Sequence, residues 1–160
     1  MFKPNNVLVL GVGLGSVIQI AEKKYNHPLT FTAVEIDPAI LYLIHKYTAV
    51  QFRSPIEYIQ ADAHAFIIQN RLKYDLIFFD IFIDDVVPPH FESLLFIKKL
   101  AACLSPGGVL LYNRIAIEHE HILHNMHFFE NTFLKVFPHA DFVDVKVNWV
   151  LVSDGRLLKK

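Results

Sequence analysis

Cysteine is nearly absent from this chain: Cys103 is the only one in 160 residues. A single thiol builds neither a disulfide framework nor a cysteine zinc site within one chain, which fits a reducing compartment. Charge is scarce too, at 19% of residues, and neither sign prevails. Fifteen basic residues meet sixteen acidic ones, for a formal net charge of -1. Bulk electrostatics therefore draws the protein to neither nucleic acid nor an anionic membrane. No segment reaches the roughly 18 uninterrupted apolar residues of a membrane span. Internal repeats, low-complexity tracts and linkers are also missing. What is plentiful is apolar material, 53% of the chain. That points to a sheet buried on both faces, and to an apolar interface such as a homodimer's. The length suits one domain over residues 1–160 with a real core.

The run VLVLGVGLGSVIQI, Val7 to Ile20, is apolar yet broken by Gly11, Gly13 and Gly15. Lys3 ahead of it and Ala21 behind it give it the outline of a secretory leader. Asn5 and Asn6 interrupt the basic end, however, and Gln19 the apolar end. The alternation that follows is that of a folded domain, so a cytoplasmic location is expected. The run then reads as a strand, Val7 to Leu10, turning sharply into a helix from Gly15 to about Tyr25.

The pattern continues. TFTAVE (Thr30 to Glu35) is a strand, and Pro38 opens a helix to about Tyr47. Ile56 to Gln60 is a strand, Ala63 to Gln69 a short helix, and YDLIFFD (Tyr74 to Asp80) a strand. A helix is expected over Phe91 to Leu104, stopped by Ser105-Pro106-Gly107-Gly108. Val109 to Asn113 follows as a strand. Glu118 to Phe137 is the longest predicted helix, with an apolar stripe of Ile122, Met126, Phe129, Phe133 and Phe137. Asp141 to Val147 and Trp149 to Ser153 close the chain as an antiparallel pair. Right-handed crossovers make this a parallel α/β sheet with helices on both faces. Ligands of such sheets bind beyond the carboxyl ends of the strands.

The residues at those ends carry chemistry. Gly11, Gly13 and Gly15 let the backbone take positive φ and approach a ligand closely. Glu35 lies 20 residues after Gly15, at the end of the second strand. A carboxylate there can accept from both hydroxyls of a ribose. Asp62, after the third strand, can accept from the exocyclic amino group of adenine. The sixth position of the loop is Ser16, after Gly15, and the chain lacks a second mononucleotide-binding half. A nucleoside with an amino-acid-like tail suits these residues better than a dinucleotide.

GVGLGS, VEIDP (Val34 to Pro38), ADAHAF (Ala61 to Phe66), YDLIFFDIF (Tyr74 to Phe82) and LSPGGVLLYN (Leu104 to Asn113) together resemble the class I S-adenosylmethionine-dependent methyltransferase fold, and within it the spermidine synthase-like branch. The resemblance implies a Rossmann-like, seven-stranded, mostly parallel sheet of order 3-2-1-4-5-7-6. It implies S-adenosylmethionine, or its decarboxylated form, as cofactor. The Gly11–Gly15 loop would border the cofactor's methionine-derived part, Glu35 would bind the ribose, and Asp62 with Ala63 would sit at the adenine. Asp80 would face the reacting centre, in contact with the cofactor's cationic end or with a small-molecule acceptor. No metal is implied.

The branch pattern is incomplete. Leu14 stands where aminopropyltransferases carry an acid in the glycine loop. Their D-x-x-D-P pair becomes DIFIDDVVPPH, with Ile83 three residues after Asp80 and the next acids at Asp84 and Asp85. The family's N-terminal β cap domain has no counterpart ahead of Val7. Methyl transfer, aminopropyl transfer and cofactor binding without chemistry all remain open on sequence. Asp80, Asp84 and Asp85 are the candidate catalytic residues, Asp84 and Asp85 as acceptors of the substrate's proton. His90 is either a loop residue or an acid–base group, and His64 either lies at the adenine edge or merely starts a helix. Arg114 either pairs with an acid of the site or faces water. HEHILHNMH offers His119, His121, His124 and His127, but the stripe through Ile122 and Met126 places His124 on a wet face, flanked by His121 and His127. A solvated face is the expectation there.

Overall fold

Val7 to Leu10 are fully buried, and that fixes their place. They belong to β1 (Asn6–Leu10), which lies mid-sheet and pairs in parallel with β2 (Thr30–Glu35) and β4 (Tyr74–Phe79). The opening apolar run is thus a central strand. The computed structural model describes Phe2 to Leu158. Beyond β2 lies β3 (Ile56–Gln60), and beyond β4 lie β5 (Leu104–Ile115), β7 (Asn148–Val152) and β6 (Asp141–Asp144). The order β3-β2-β1-β4-β5-β7-β6 is the expected one. β7 runs antiparallel to both neighbours.

Alternating residues of each strand bury opposite faces. Val7, Val9, Phe31 and Ala33 pack with Ile18 and Ala21 of α1 (Ser16–Lys24) and with Ile44, which follows α2 (Pro38–Leu43). Leu8, Leu10, Ile77, Phe79, Leu110 and Tyr112 pack with α3 (Ala63–Gln69), α4 (Leu94–Ala102) and α5 (His119–Phe128). Asp37 caps α2, its Oδ1 accepting from Ala39 N–H at 2.7 Å. Ser93 caps α4 by accepting from Phe96 N–H at 3.2 Å.

Four boundaries differ from the sequence reading. Phe91 lies in a 3-10 turn, Pro89–Glu92, and α4 begins only after the Ser93 cap. Ser105–Gly108 does not separate helix from strand. It is looped out within β5, where Tyr74 pairs Leu104 but Leu76 already pairs Val109. β6 ends at Asp144. The long helix after residue 118 is interrupted by a π turn at Phe129–Phe133 before the short α6 (Leu134–Val136). The extra residue in that turn rotates the preceding face. Phe133 stays buried, but Met126 is 44% exposed, and Asn125 and Phe128 face the core in its place.

Glu22 of α1 anchors the segment leading into β3. Its Oε1 accepts the backbone N–H of Arg53 (2.8 Å) and of Ser54 (2.7 Å). Burial pushes its carboxyl up, but hydrogen bonds from Ser54 and Arg53 and the Arg53 charge outweigh burial and hold it below the ordinary range. The stabilisation is therefore present above the unfolded-state pKa and lost as pH falls through the folded one. Glu22→Gln is expected to cost about 1–2 kcal/mol in urea unfolding at neutral pH, and the deficit is expected to narrow below about pH 4.

Candidate active site

Four neighbouring strands end side by side. Gly11 leaves β1 with φ +80°, its N–H donating to Val34 O at 3.0 Å while Asp80 N–H donates to Leu10 O at 2.9 Å. A Cβ on Gly11 would run into the Asp80 carbonyl oxygen. Gly15 caps α1 with φ +87°, and a Cβ there would strike the Phe52 ring. Gly13 is different. It has φ +50° and nothing within 4 Å of where a Cβ would stand, so this part of the loop opens onto free space.

Glu35 closes onto that loop. Its Oε1 accepts the N–H groups of Ile36 (2.9 Å) and Asp37 (3.1 Å), and its Oε2 accepts Gly13 N–H at 3.3 Å. The glycine turn and the carboxylate of the next strand are thus in contact. Asp62 follows β3, and Ala61 N–H donates to Glu35 O at 3.0 Å. Asp62 Oδ1 caps α3 by accepting from Ala65 N–H at 2.8 Å. Ala63 is 5% exposed.

Asp80, after β4, is held by one carboxamide, which a second holds in turn. Asn113 Nδ2 donates to Asp80 Oδ1 at 2.8 Å, and Asn148 Nδ2 donates to Asn113 Oδ1 at 3.0 Å. Asn148 carries no signal in the sequence, because 35 residues separate it from Asn113. Asp84 adopts φ +56° in a tight turn closed by paired hydrogen bonds between Ile83 and Val86. Asp85 extends toward α5, with Oδ2 3.4 Å from His121 Nε2.

A cleft of about 790 Å³ lies beyond β5, lined by Asp85, Glu92, Arg114, Glu118, His121 and His124 among others. Arg114 is 2% exposed. Its Nη2 meets Glu92 Oε1 at 2.5 Å, its Nε donates to Asn125 Oδ1 at 2.6 Å, and its guanidinium lies 4.4 Å from the Phe128 ring centroid. It therefore pairs with an acid. His121, 16% exposed, departs from the expected solvated face, whereas His124 lies on it at 59% exposed. His121 Nδ1 accepts Glu118 N–H at 3.2 Å, which puts the neutral ring's proton on the Nε2 facing Asp85. His124 Nε2 lies 2.9 Å from both Glu92 oxygens. The physical reason is the rotated face of α5, which turns Asn125 inward and brings its neighbours to the cleft. His119 and His127 are exposed. His64 stacks on Phe96 at 5.3 Å, and His90 lies 4.1 Å from Phe91; both rings pack in an aromatic cluster.

The spermine/spermidine synthase domain matches residues 1–151. The chain belongs to this family. A probable polyamine aminopropyl transferase of Bifidobacterium longum is 32% identical over 109 residues, 68% of this chain and 24% of that protein. A polyamine aminopropyltransferase of Vibrio vulnificus is 31% identical over 114 residues, 69% of this chain and 38% of that protein. The chain thus spans well under half the length of these relatives. Human methyltransferase-like protein 13, solved in complex with SAH, superposes with a TM-score of 0.77 at 25% identity, covering 95% of this chain and 72% of that one. In this spermidine synthase-like chain the glycine turn and Glu35 occupy neighbouring strand ends, the arrangement expected from its motifs. Among the described residues no helix is long and apolar enough to cross a membrane.

Proposed function

We propose that this chain is a transferase domain that holds S-adenosylmethionine at the carboxyl edge of β3, β2, β1 and β4 and directs its methyl group to a small acceptor. The observation that carries the reading is the Gly13–Glu35 contact beside the free space at Gly13. A carboxylate offers about four lone-pair sites, and three N–H groups already occupy Glu35. The 3.3 Å bond from Gly13 is the longest of them. A bound ribose would take Oε2 from Gly13, leaving Oε1 to keep the carboxylate aimed. Asp62 Oδ1 is committed to the α3 cap, so its other oxygen would receive the adenine amino group.

The cofactor supplies a sulfonium whose sulfur leaves as a neutral thioether when the acceptor's lone pair takes the transferred carbon. The chain's own residues position the acceptor and receive its proton. Asp80, fixed through Asn113, presents Oδ2 to the cationic end of the cofactor or to the acceptor. Asp84 and Asp85, both exposed, stand on the turn beyond it as proton acceptors. Asp80→Asn is expected to leave thermal unfolding unchanged while lowering turnover about 100-fold or more; unchanged turnover would remove Asp80 from the chemistry.

Aminopropyl transfer from decarboxylated S-adenosylmethionine is the second reading, favoured by the family match over residues 1–151. Against it stands Ile83, 62% exposed, where a second carboxylate would hold the amine. Titration calorimetry with S-adenosylmethionine, its decarboxylated form and S-adenosylhomocysteine separates the readings. Tighter binding of the carboxylated pair supports methyl transfer, and preference for the decarboxylated ligand supports aminopropyl transfer. Silence toward all three contradicts both. The proposal extends to one domain over residues 1–160 acting in the cytoplasm without nucleic acid or membrane.

A further inference from the structure

Asp80, Asn113 and Asn148 meet through strand register. Phe79 pairs with Tyr112 across β4 and β5, which sets Asp80 abreast of Asn113. Across β5 and β7, Asn113 pairs with Val150 and Ile115 with Asn148. Asn113 and Asn148 are therefore diagonal neighbours on one face of an antiparallel pair. The backbone around Asn148 is pinned. Its carbonyl accepts from Val145 N–H at 2.8 Å, and the Val147 carbonyl accepts from Ala116 N–H at 2.7 Å.

The direction of the two side-chain hydrogen bonds is forced. An ionised carboxylate only accepts. Asn113 must turn Nδ2 toward Asp80, and it donates to Oδ1 at 2.8 Å. Its own Oδ1 then faces away and needs a donor, which Asn148 Nδ2 supplies at 3.0 Å. Both bonds run toward Asp80, and linked bonds of this kind polarise one another. An acceptor at position 148 would claim the Asn113 NH2 group from the opposite side and set it against Asp80.

We propose that Asn148 is a positioning residue for Asp80. By donating to Asn113 Oδ1 it fixes which end of that carboxamide meets the carboxylate. Asp80 Oδ1 stays engaged, and Oδ2 is left to the ligand. The inference rests on the reading of Asp80 given above and adds the β6–β7 hairpin to the machinery. Donor chemistry, not size, carries the role. Aspartate is nearly isosteric with asparagine but only accepts, leucine fills the space without donating, and glutamine is longer but still donates.

The test is the side-chain amide NMR signal of Asn113 in the isotope-labelled 160-residue chain at neutral pH, identified by its loss in Asn113→Ser. Asp80→Ala removes the acceptor and gives the displacement of an unheld carboxamide. Asn148→Asp is expected to displace the signal most, Asn148→Leu less and Asn148→Gln least. A packing role predicts the isosteric Asn148→Asp to be the mildest, and that order overturns the proposal. So does a signal that no Asn148 variant moves. Should Asn148→Asp fail to fold by circular dichroism, Asn148→Leu against Asn148→Gln decides, and equal displacement in the two overturns the proposal. The spectra are recorded without ligand. A failed relay is thus distinct from a failed role for Asp80, which the turnover of Asp80→Asn reads.

Discussion

Arg114→Met is expected to lower the unfolding free energy by about 3–5 kcal/mol, the usual cost of breaking a buried ion pair from one side. Methionine preserves the stem over the Phe128 ring, so packing is retained while the charge is lost. Glu92 is left with a side chain only 12% exposed and with the His124 ring as its remaining side-chain partner. Asn125 Oδ1 loses its donor at the same time. The effect spreads because Arg114 ties three elements together: β5, the turn before α4 and α5. Urea unfolding of Arg114→Met, Glu92→Gln and the double variant measures the coupling. The double variant is expected to be more stable than Arg114→Met alone, since it no longer buries an unpaired carboxylate. Equal destabilisation in the two would mean that the pair contributes only through packing.

Gly11→Ala is expected to cost about 2–4 kcal/mol, combining the left-handed backbone penalty with overpacking. The colliding atom is the backbone carbonyl of Asp80, which cannot rotate away as a side chain would. Relief requires β1 and β4 to part at the edge where Gly13 and Asp80 must face a ligand, so affinity for S-adenosylhomocysteine is expected to fall with stability. Gly13→Ala is the informative contrast. No atom lies within 4 Å of its Cβ position, so its stability cost is the backbone penalty alone, about 1–2 kcal/mol. Its loss of affinity is expected to match or exceed that of Gly11→Ala, because the methyl group enters the open space itself. Differential scanning calorimetry and ligand titration of both variants test the pair.

The succession of strands and helices and the glycine turn were legible because local signals agree with the tertiary outcome; the order of the strands in the sheet was implied by the family resemblance. β1 is apolar from Val7 to Leu10, Glu35 ends a β-rich run, and Gly11, Gly13 and Gly15 stand where positive φ is needed. Consistency of this kind is what makes a fold readable. The face of α5 was not legible. The stripe counted from Phe137 back to Ile122 assumes an unbroken α-helix, and the π turn at Phe129–Phe133 displaces it by one residue. That one residue separates a solvated histidine from His121, seated against Asp85. The carboxamide support of Asp80 was hidden for another reason. Asn113 and Asn148 become neighbours only through the antiparallel insertion of β7 between β5 and β6, a long-range pairing that no periodicity announces. Glu92 was concealed in the same way, since its partners Arg114 and His124 come from β5 and α5.

The central claim is that Glu35 holds a ribose beside the glycine turn, and calorimetric titration of Glu35→Ala with S-adenosylhomocysteine tests it most directly. Loss of charge-assisted hydrogen bonds predicts affinity weaker by about 1–3 kcal/mol, roughly 5- to 150-fold, beside a stability loss of about 1–2 kcal/mol from its three backbone N–H partners that thermal unfolding reads separately. Affinity equal to that of the unaltered chain would contradict the account.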